Sequence, residues 1–208
     1  MNEALLGHFF PPIAASSPPP RLRPHLSAPH LTIEEIPSAL ATSSPSVAPG
    51  TDGMPYLTWK RINAINLSIL LQILPPLISL GYHPAWLTVA NGIVLDKPGK
   101  PSYRSPSSFR ILVILRTFSK IPERIVAARL LLSARTRSLI YPNQSGSCPG
   151  ISTYNAWLTL VNDVKTLQRQ RLNVSSLFFN IKAGFDNVEN PTLAPILGEG
   201  GIPANLVS

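Results

Sequence analysis

The residues best placed to do chemistry gather behind one short apolar run. Ser175–Ile181 holds two consecutive phenylalanines between turn formers, a pattern that predicts a buried strand. The run ends in Asn180, Ile181, Lys182, Ala183, Gly184, Phe185 and Asp186, so an amide, a glycine, an aromatic ring and a carboxylate crowd one strand terminus. Open α/β sheets place their chemistry at such ends. Hard divalent cations want carboxylate oxygens; Asp186 has a carboxylate, whereas Asn180 offers one neutral carbonyl oxygen.

A second group is defined by charge. Between Asp96 and Arg137 stand Lys97, Lys100, Arg104, Arg110, Arg116, Lys120, Arg124, Arg129, Arg135 and Arg137 against only Asp96 and Glu123. That surplus of eight equals the whole net charge of the chain. A localised surplus of this kind is the footprint of a polyanion binder, or else the solvated face of a basic protein.

The elements that must position these groups follow from pattern. The chain has 208 residues and is 44% hydrophobic, enough for one domain with a core. Its 23 prolines are more than double the usual ~5% and cluster early. Residues 1–47 therefore read as largely disordered or extended. Within them Thr32 and Glu35 form a capping box for a short helix, which Pro37 limits to a turn or two. Ala48–Met54 is a turn in which Gly50 and Gly53 supply positive φ. A helix is expected up to Leu74 and another after Pro75 and Pro76, with Gly81 as the C′ glycine and Ile62, Ile65, Ile69, Leu70, Ile73 and Leu74 as core.

Trp86–Leu95 reads as extended chain ending in a strand, Asp96–Pro101 as a hairpin loop, and Phe109–Leu115 as the returning strand. Ser119 to about Ala134 predicts a helix capped by Ser119, with Pro122 in its first turn and Ile121, Ile125, Ala128 and Leu132 on its apolar face. On this helix Arg124 and Arg129 are solvated or face the backbone. From Tyr154 to Gln170 the stripe Trp157, Leu160, Val161, Val164, Leu167 predicts a core-packing helix. Pro191–Leu197 starts a last helix, ended by Gly200 and Gly201.

Composition narrows the classes. One cysteine, Cys148, precludes an internal disulfide and suits a reducing compartment. The four histidines lack metal-ligand spacing. The N-terminus has no basic n-region, so no secretory signal is expected and the expected location is intracellular, in nucleus or cytoplasm. Ile62–Leu80 is the most apolar window, but Asn63, Asn66, Gln72 and the proline pair interrupt it, so no membrane partner is expected.

Several blocks, in order, resemble the reverse transcriptases of non-LTR, LINE-like retrotransposons. They are Ala48-Pro49-Gly50-x-Asp52-Gly53; Lys97-Pro98-Gly99-Lys100-Pro101 with Phe109-Arg110 beyond it; Lys120-x-x-Glu123-Arg124-Ile125-Val126; Gln144-x-Gly146 with Gly150, Ser152 and Thr153; the strand with Phe185 and Asp186; and Gly201-Ile202-Pro203 with Leu206 and Val207. The resemblance covers roughly residues 48–208. It implies an α/β (α+β) fold, with a polymerase fingers subdomain over about 48–153 and the start of an antiparallel palm over about 154–208.

The resemblance also implies roles. The activity is RNA-templated DNA synthesis with Mg2+, the partners an RNA template and a DNA primer. Lys97, Lys100 and Arg110 would face phosphates, or would be exposed loop cations. Gln144 and Gly146 would lie in a template-gripping loop, where Ser147 and Cys148 replace the family's aromatic and arginine. Phe185 would abut the nucleotide sugar, or be a core aromatic. At the position of the family's metal-binding aspartate stands Asn180, and Asp186 would be a structural or outer group. The family's Asp-Asp hairpin lies beyond Ser208. The expectation is thus a reverse transcriptase fragment without polymerase activity of its own. The alternatives are a non-catalytic nucleic-acid binder using residues 96–137 and a decayed fragment with no stable function.

Overall fold

The computed structural model describes residues 29–181, 184 and 188–207. The roles expected of Phe185 and Asp186, and the extended character expected of residues 1–28, lie outside that range.

The architecture is α+β: helices around one core and a two-stranded antiparallel hairpin. In order they are α1 (Glu35–Ala41), α2 (Tyr56–Ser79), α3 (Ala85–Thr88), β1 (Ala90–Asp96), β2 (Phe109–Leu115), α4 (Lys120–Thr136), α5 (Thr153–Arg169) and α6 (Asn190–Glu199), with 3-10 turns at Pro106–Ser108 and Ala204–Leu206. The core joins α1, α2 and α4 through Ile36, Leu40, Tyr56, Leu70, Leu74, Ile78, Phe118, Ile121 and Ile125.

Helix α1 continues past Pro37, contrary to the sequence expectation. Pro37 occupies the first turn, where a missing N–H costs no intrahelical bond. Only half of the capping box forms, the Thr32 N–H donating to Glu35 Oε2 at 2.8 Å. Ile36 and Leu40 bury against the other helices, so the packed body starts before residue 48.

Helix α2 runs through Pro75 and Pro76 and breaks elsewhere. Asn66 has φ −154° and ψ 85°, and its side-chain oxygen accepts the Ser68 N–H at 3.1 Å. This is an N-cap placed inside an apolar run, and it starts a second helical piece. The buried face of α2 is narrower than its apolar pattern suggests. Leu70, Leu74 and Ile78 are buried, while Ile65 is 85% exposed and Ile69 and Ile73 also face solvent. By length and hydropathy α2 reaches the range of a membrane span. The kink divides it into residues 56–65 and 67–79, each shorter than the ~20 needed to cross. Gly81, at φ +60°, follows the helix end as expected.

Helix α4 buries Ile121, Pro122, Ile125 and Arg129, with Val126 and Leu130 half-buried; Ala128 and Leu132 are exposed. Ser119 does not cap it. Its hydroxyl donates instead to the Arg116 carbonyl at 2.8 Å. Ile202 and Leu206 pack behind α6 against Val126 and Leu130.

Two further expectations fail for one physical reason. Helix α5 forms with a Ser152–Asn155 capping box, but it buries no residue and Trp157 is 59% exposed. Ser175–Ile181 forms no ladder, and Leu177, Phe178, Phe179 and Ile181 are all exposed. An apolar pattern states that a surface can be buried but supplies no partner. Among the described residues β1 and β2 pair only with each other, and Ser175–Ile181 joins neither of their open edges.

Candidate nucleic-acid interface

The hairpin is built by local rules. β1 and β2 pair in register from Ala90 opposite Leu115 to Asp96 opposite Phe109. The chain between Asp96 and Phe109 is longer than a tight turn, so it is braced from within. Lys97 N–H donates to the Ser108 carbonyl at 2.9 Å, the Ser108 hydroxyl to the Ser102 carbonyl at 2.6 Å, and the Tyr103 hydroxyl to the Lys97 carbonyl at 2.9 Å. The Tyr103 and Phe109 rings meet at 5.9 Å between centroids. Gly99, at φ +75°, makes the bend beside Pro98.

The loop carries Lys97, Lys100 and Arg104, and β2 adds Arg110 beyond it. Lys97 is partly used, its ammonium donating to the Ser107 carbonyl at 2.9 Å. Lys100, Arg104 and Arg110 are exposed, and none of their side chains forms an ion pair among the described residues. Asp96 is the one carboxylate on the strands, at the end of β1 opposite Phe109. Cations on a rigid ribbon with an exposed tyrosine beside them offer an anionic backbone several contacts at once; Arg adds a planar fork, Lys a point charge.

The other cations of the basic segment divide differently. Arg129 and Arg124 bind helix α1 from its two ends. Arg129 forks onto the Glu35 carboxylate and also donates to the Pro29 and His30 carbonyls. Arg124 donates to the Ala39 carbonyl and to the Thr42 and Ser43 hydroxyls, at the carbonyl end of the helix, and lies over the Tyr56 ring at 5.2 Å. Arg129 thus faces backbone carbonyls, one of the two placements the sequence suggested, but it is also buried and ion-paired rather than solvated. Arg137 lies against Gly201. Arg116 donates to Thr51 Oγ1 at 2.9 Å and to the Trp86 carbonyl. These four serve the fold, and the free positive charge concentrates toward the hairpin.

The base of the hairpin is a junction that sequence reasoning did not single out. The loop Gly50–Met54 lies across the end of β2, so close that a Cβ on Gly50 would stand 2.6 Å from the Arg116 backbone. Gly50 is therefore required for close approach, and only Gly53, at φ +66°, for positive φ. Next along, the Thr117 hydroxyl donates to the Met54 carbonyl at 2.7 Å and accepts from Trp59 Nε1 at 2.8 Å. Phe118 sits between Trp59 and Trp86, at 4.8 and 6.3 Å.

The remaining candidates lie apart from this cluster. The Gln144 amide donates to the Gly146 carbonyl at 3.3 Å, bracing its own exposed loop. Cys148 in the same loop is buried and free. Asn180 is exposed in irregular chain, and among the described residues no hydrogen bond or ion pair joins it to the cations. No group of three or more His, Cys, Asp or Glu able to hold a metal occurs among the described residues. Asn180, neutral and with one oxygen to offer, does not fit the task of a carboxylate ligand to Mg2+.

No protein-family model matches the chain. Its sequence is, however, similar to several curated proteins. One is a probable RNA-directed DNA polymerase from transposon X-element of Drosophila melanogaster, 26% identical over 154 residues, covering 74% of this chain and 17% of the relative. Another is the RNA-directed DNA polymerase from mobile element jockey of Drosophila funebris, 27% identical over 168 residues, covering 81% of this chain and 18% of the relative. A putative 115 kDa protein in the type-1 retrotransposable element R1DM of Drosophila melanogaster is 28% identical over 189 residues, covering 90% of this chain and 18% of the relative. The chain spans less than a fifth of the length of these relatives.

Proposed function

We propose that this chain, a part of the reverse transcriptase domain of a non-LTR, LINE-like retrotransposon, serves as a nucleic-acid-gripping fingers element and does not polymerise by itself. Its relatives are RNA-directed DNA polymerases, a class that uses divalent metal ions and acts on template and primer. The observation that carries the reading is the set Lys97, Lys100, Arg104 and Arg110 on one braced hairpin, free of ion pairs among the described residues. Such a set neutralises backbone phosphates and releases their counterions, a sequence-independent attraction.

The lack of polymerase activity follows from donor chemistry. Two-metal nucleotidyl transfer needs anionic oxygens bridging the ions. Asn180 supplies none, and restoring a single carboxylate supplies one of several. Purified chain and its Asn180→Asp variant are both expected to extend no primer. An EDTA-sensitive extension product from either would refute this half of the proposal. For the binding half, anisotropy of a labelled RNA or DNA oligonucleotide should show affinity falling linearly in log–log against salt. Salt-independent binding, or no binding at low salt, would refute it.

A second reading is favoured by the uncovered surfaces of α5 and Ser175–Ile181: a segment that acts only when the rest of a polymerase covers them. It predicts that the isolated chain associates or precipitates before it binds nucleic acid.

A further inference from the structure

The hairpin has little else to hold it. Among the described residues no helix packs broadly against β1 or β2; six of the seven β1 residues are exposed, and of the β2 residues three are exposed and four half-buried. Its orientation is therefore decided where the two strands join the body, at Ala85–Ala90 and Leu115–Phe118. Among the described residues two side chains of the second junction reach the first: Phe118, whose ring stacks on Trp86 at 6.3 Å between centroids, and Arg116, which alone does so by a hydrogen bond. From the end of β2, Arg116 donates through Nε to Thr51 Oγ1 and through a terminal nitrogen to the Trp86 carbonyl, just before β1. Its guanidinium also lies 5.5 Å from the centre of the Trp86 ring. The Arg116 backbone receives Gly50 without room for a Cβ, which fixes the loop that carries Thr51.

We infer that Arg116 is a positioning residue, a pin that sets the angle of the cationic hairpin on the helical body and thereby presents Lys97, Lys100, Arg104 and Arg110 as one surface. The planar fork of Arg meets two acceptors in different segments and stacks on an aromatic face; Lys retains the charge but can do neither together. The consequence for nucleic acid rests on the binding function proposed above, whereas the pinning itself does not.

The test separates the two. Spin labels on Pro101→Cys at the hairpin loop and Ala128→Cys on α4, in a Cys148→Ser background, report the hairpin–body distance by pulsed electron resonance without nucleic acid. The unsubstituted pin should give one narrow distance distribution. Arg116→Lys should broaden or shift it while the helical circular dichroism and its melt persist. A distribution unchanged by Arg116→Lys overturns the inference. Should that variant fail to fold, Thr51→Val removes one acceptor from the other side, and an unchanged distribution there counts equally against it. Where the parent chain binds RNA, Arg116→Lys should weaken binding about tenfold, about 1.4 kcal/mol, with the salt slope kept because the charge is kept. If the parent chain binds no RNA, the proposed function fails and the distance alone judges the pin.

Discussion

Arg129 and Glu35 form a two-pronged ion pair, Nε to Oε1 at 2.6 Å and a terminal nitrogen to Oε2 at 2.7 Å, joining α4 to the first residue of α1 across 94 positions of sequence. The Arg129 side chain is 9% exposed, so its charge depends on this partner and on the two backbone carbonyls it reaches. Removing one member of a buried pair leaves the other unpaired. Glu35→Ala should therefore destabilise the chain by about 2–3 kcal/mol, read from the urea midpoint. An unchanged midpoint would mean that α1 is not held in this way.

The same pair sets a pH dependence. The hydrogen bond from Arg129 holds the Glu35 carboxyl below its ordinary 4.5, against the opposing effect of burial. A folded-state value below the unfolded one contributes stability that is fully present above the unfolded value and is lost as pH falls through the folded one. Thermal melts should thus lose Tm as pH drops below about 4.5, and Glu35→Gln should remove that part of the slope. Identical slopes for the two proteins would contradict the assignment.

Three substitutions on α2 test its buried face and its internal cap. Leu74 is fully buried, and Leu74→Ala should cost about 2–5 kcal/mol. Ile65, 85% exposed, should tolerate Ile65→Ala within about 0.5 kcal/mol. Asn66→Ala removes the internal cap and should cost about 1 kcal/mol. Equal costs at Leu74 and Ile65 would contradict the burial of one and the exposure of the other.

Gly50→Ala offers a sharper result at the hairpin base. The added methyl would meet backbone atoms of Leu115 and Arg116 rather than a movable side chain. The substitution should loosen the base, detectable as faster amide exchange in β1 and β2 than in α4. Unaltered exchange in the strands would show that the loop can retreat at no cost.

What the sequence revealed, and what it did not, divides along one line. The hairpin was legible because its signals are local: two apolar runs, a Lys-Pro-Gly-Lys-Pro turn between them, and β2 found at Phe109–Leu115 as expected, although Trp86–Thr88, expected to be extended, lies in a helical turn before β1. Gly81, Gly200 and Gly201 were legible for the same reason, as punctuation at helix ends. Asn66 was not, because an N-cap inside a continuous helical pattern breaks no periodicity. Arg129 was legible as solvated or backbone-facing but not as ion-paired, because composition cannot show that Glu35 waits across the fold. The helix at α5 was legible as a helix but not its exposure, and Ser175–Ile181 was legible as apolar but not as unpaired; both depend on a partner surface that periodicity does not specify. Arg116 looked like one cation in ten, and only the meeting of Gly50, Thr51 and Trp86 around it singles it out.

Salt-titrated RNA binding by two variants, compared per charge removed, tests most directly whether the hairpin is the gripping surface. One variant, Lys97→Gln, Lys100→Gln, Arg104→Gln and Arg110→Gln together, strips the hairpin; the other, Lys120→Gln with Arg135→Gln, removes cations from α4. Each phosphate contact contributes about 0.7–0.9 to the slope of log affinity against log salt. The hairpin variant should therefore lose most of the slope and most of the affinity, and the α4 variant little of either. Equal losses per charge in the two variants would contradict the account, since the attraction would then belong to the net charge of the chain and not to the hairpin.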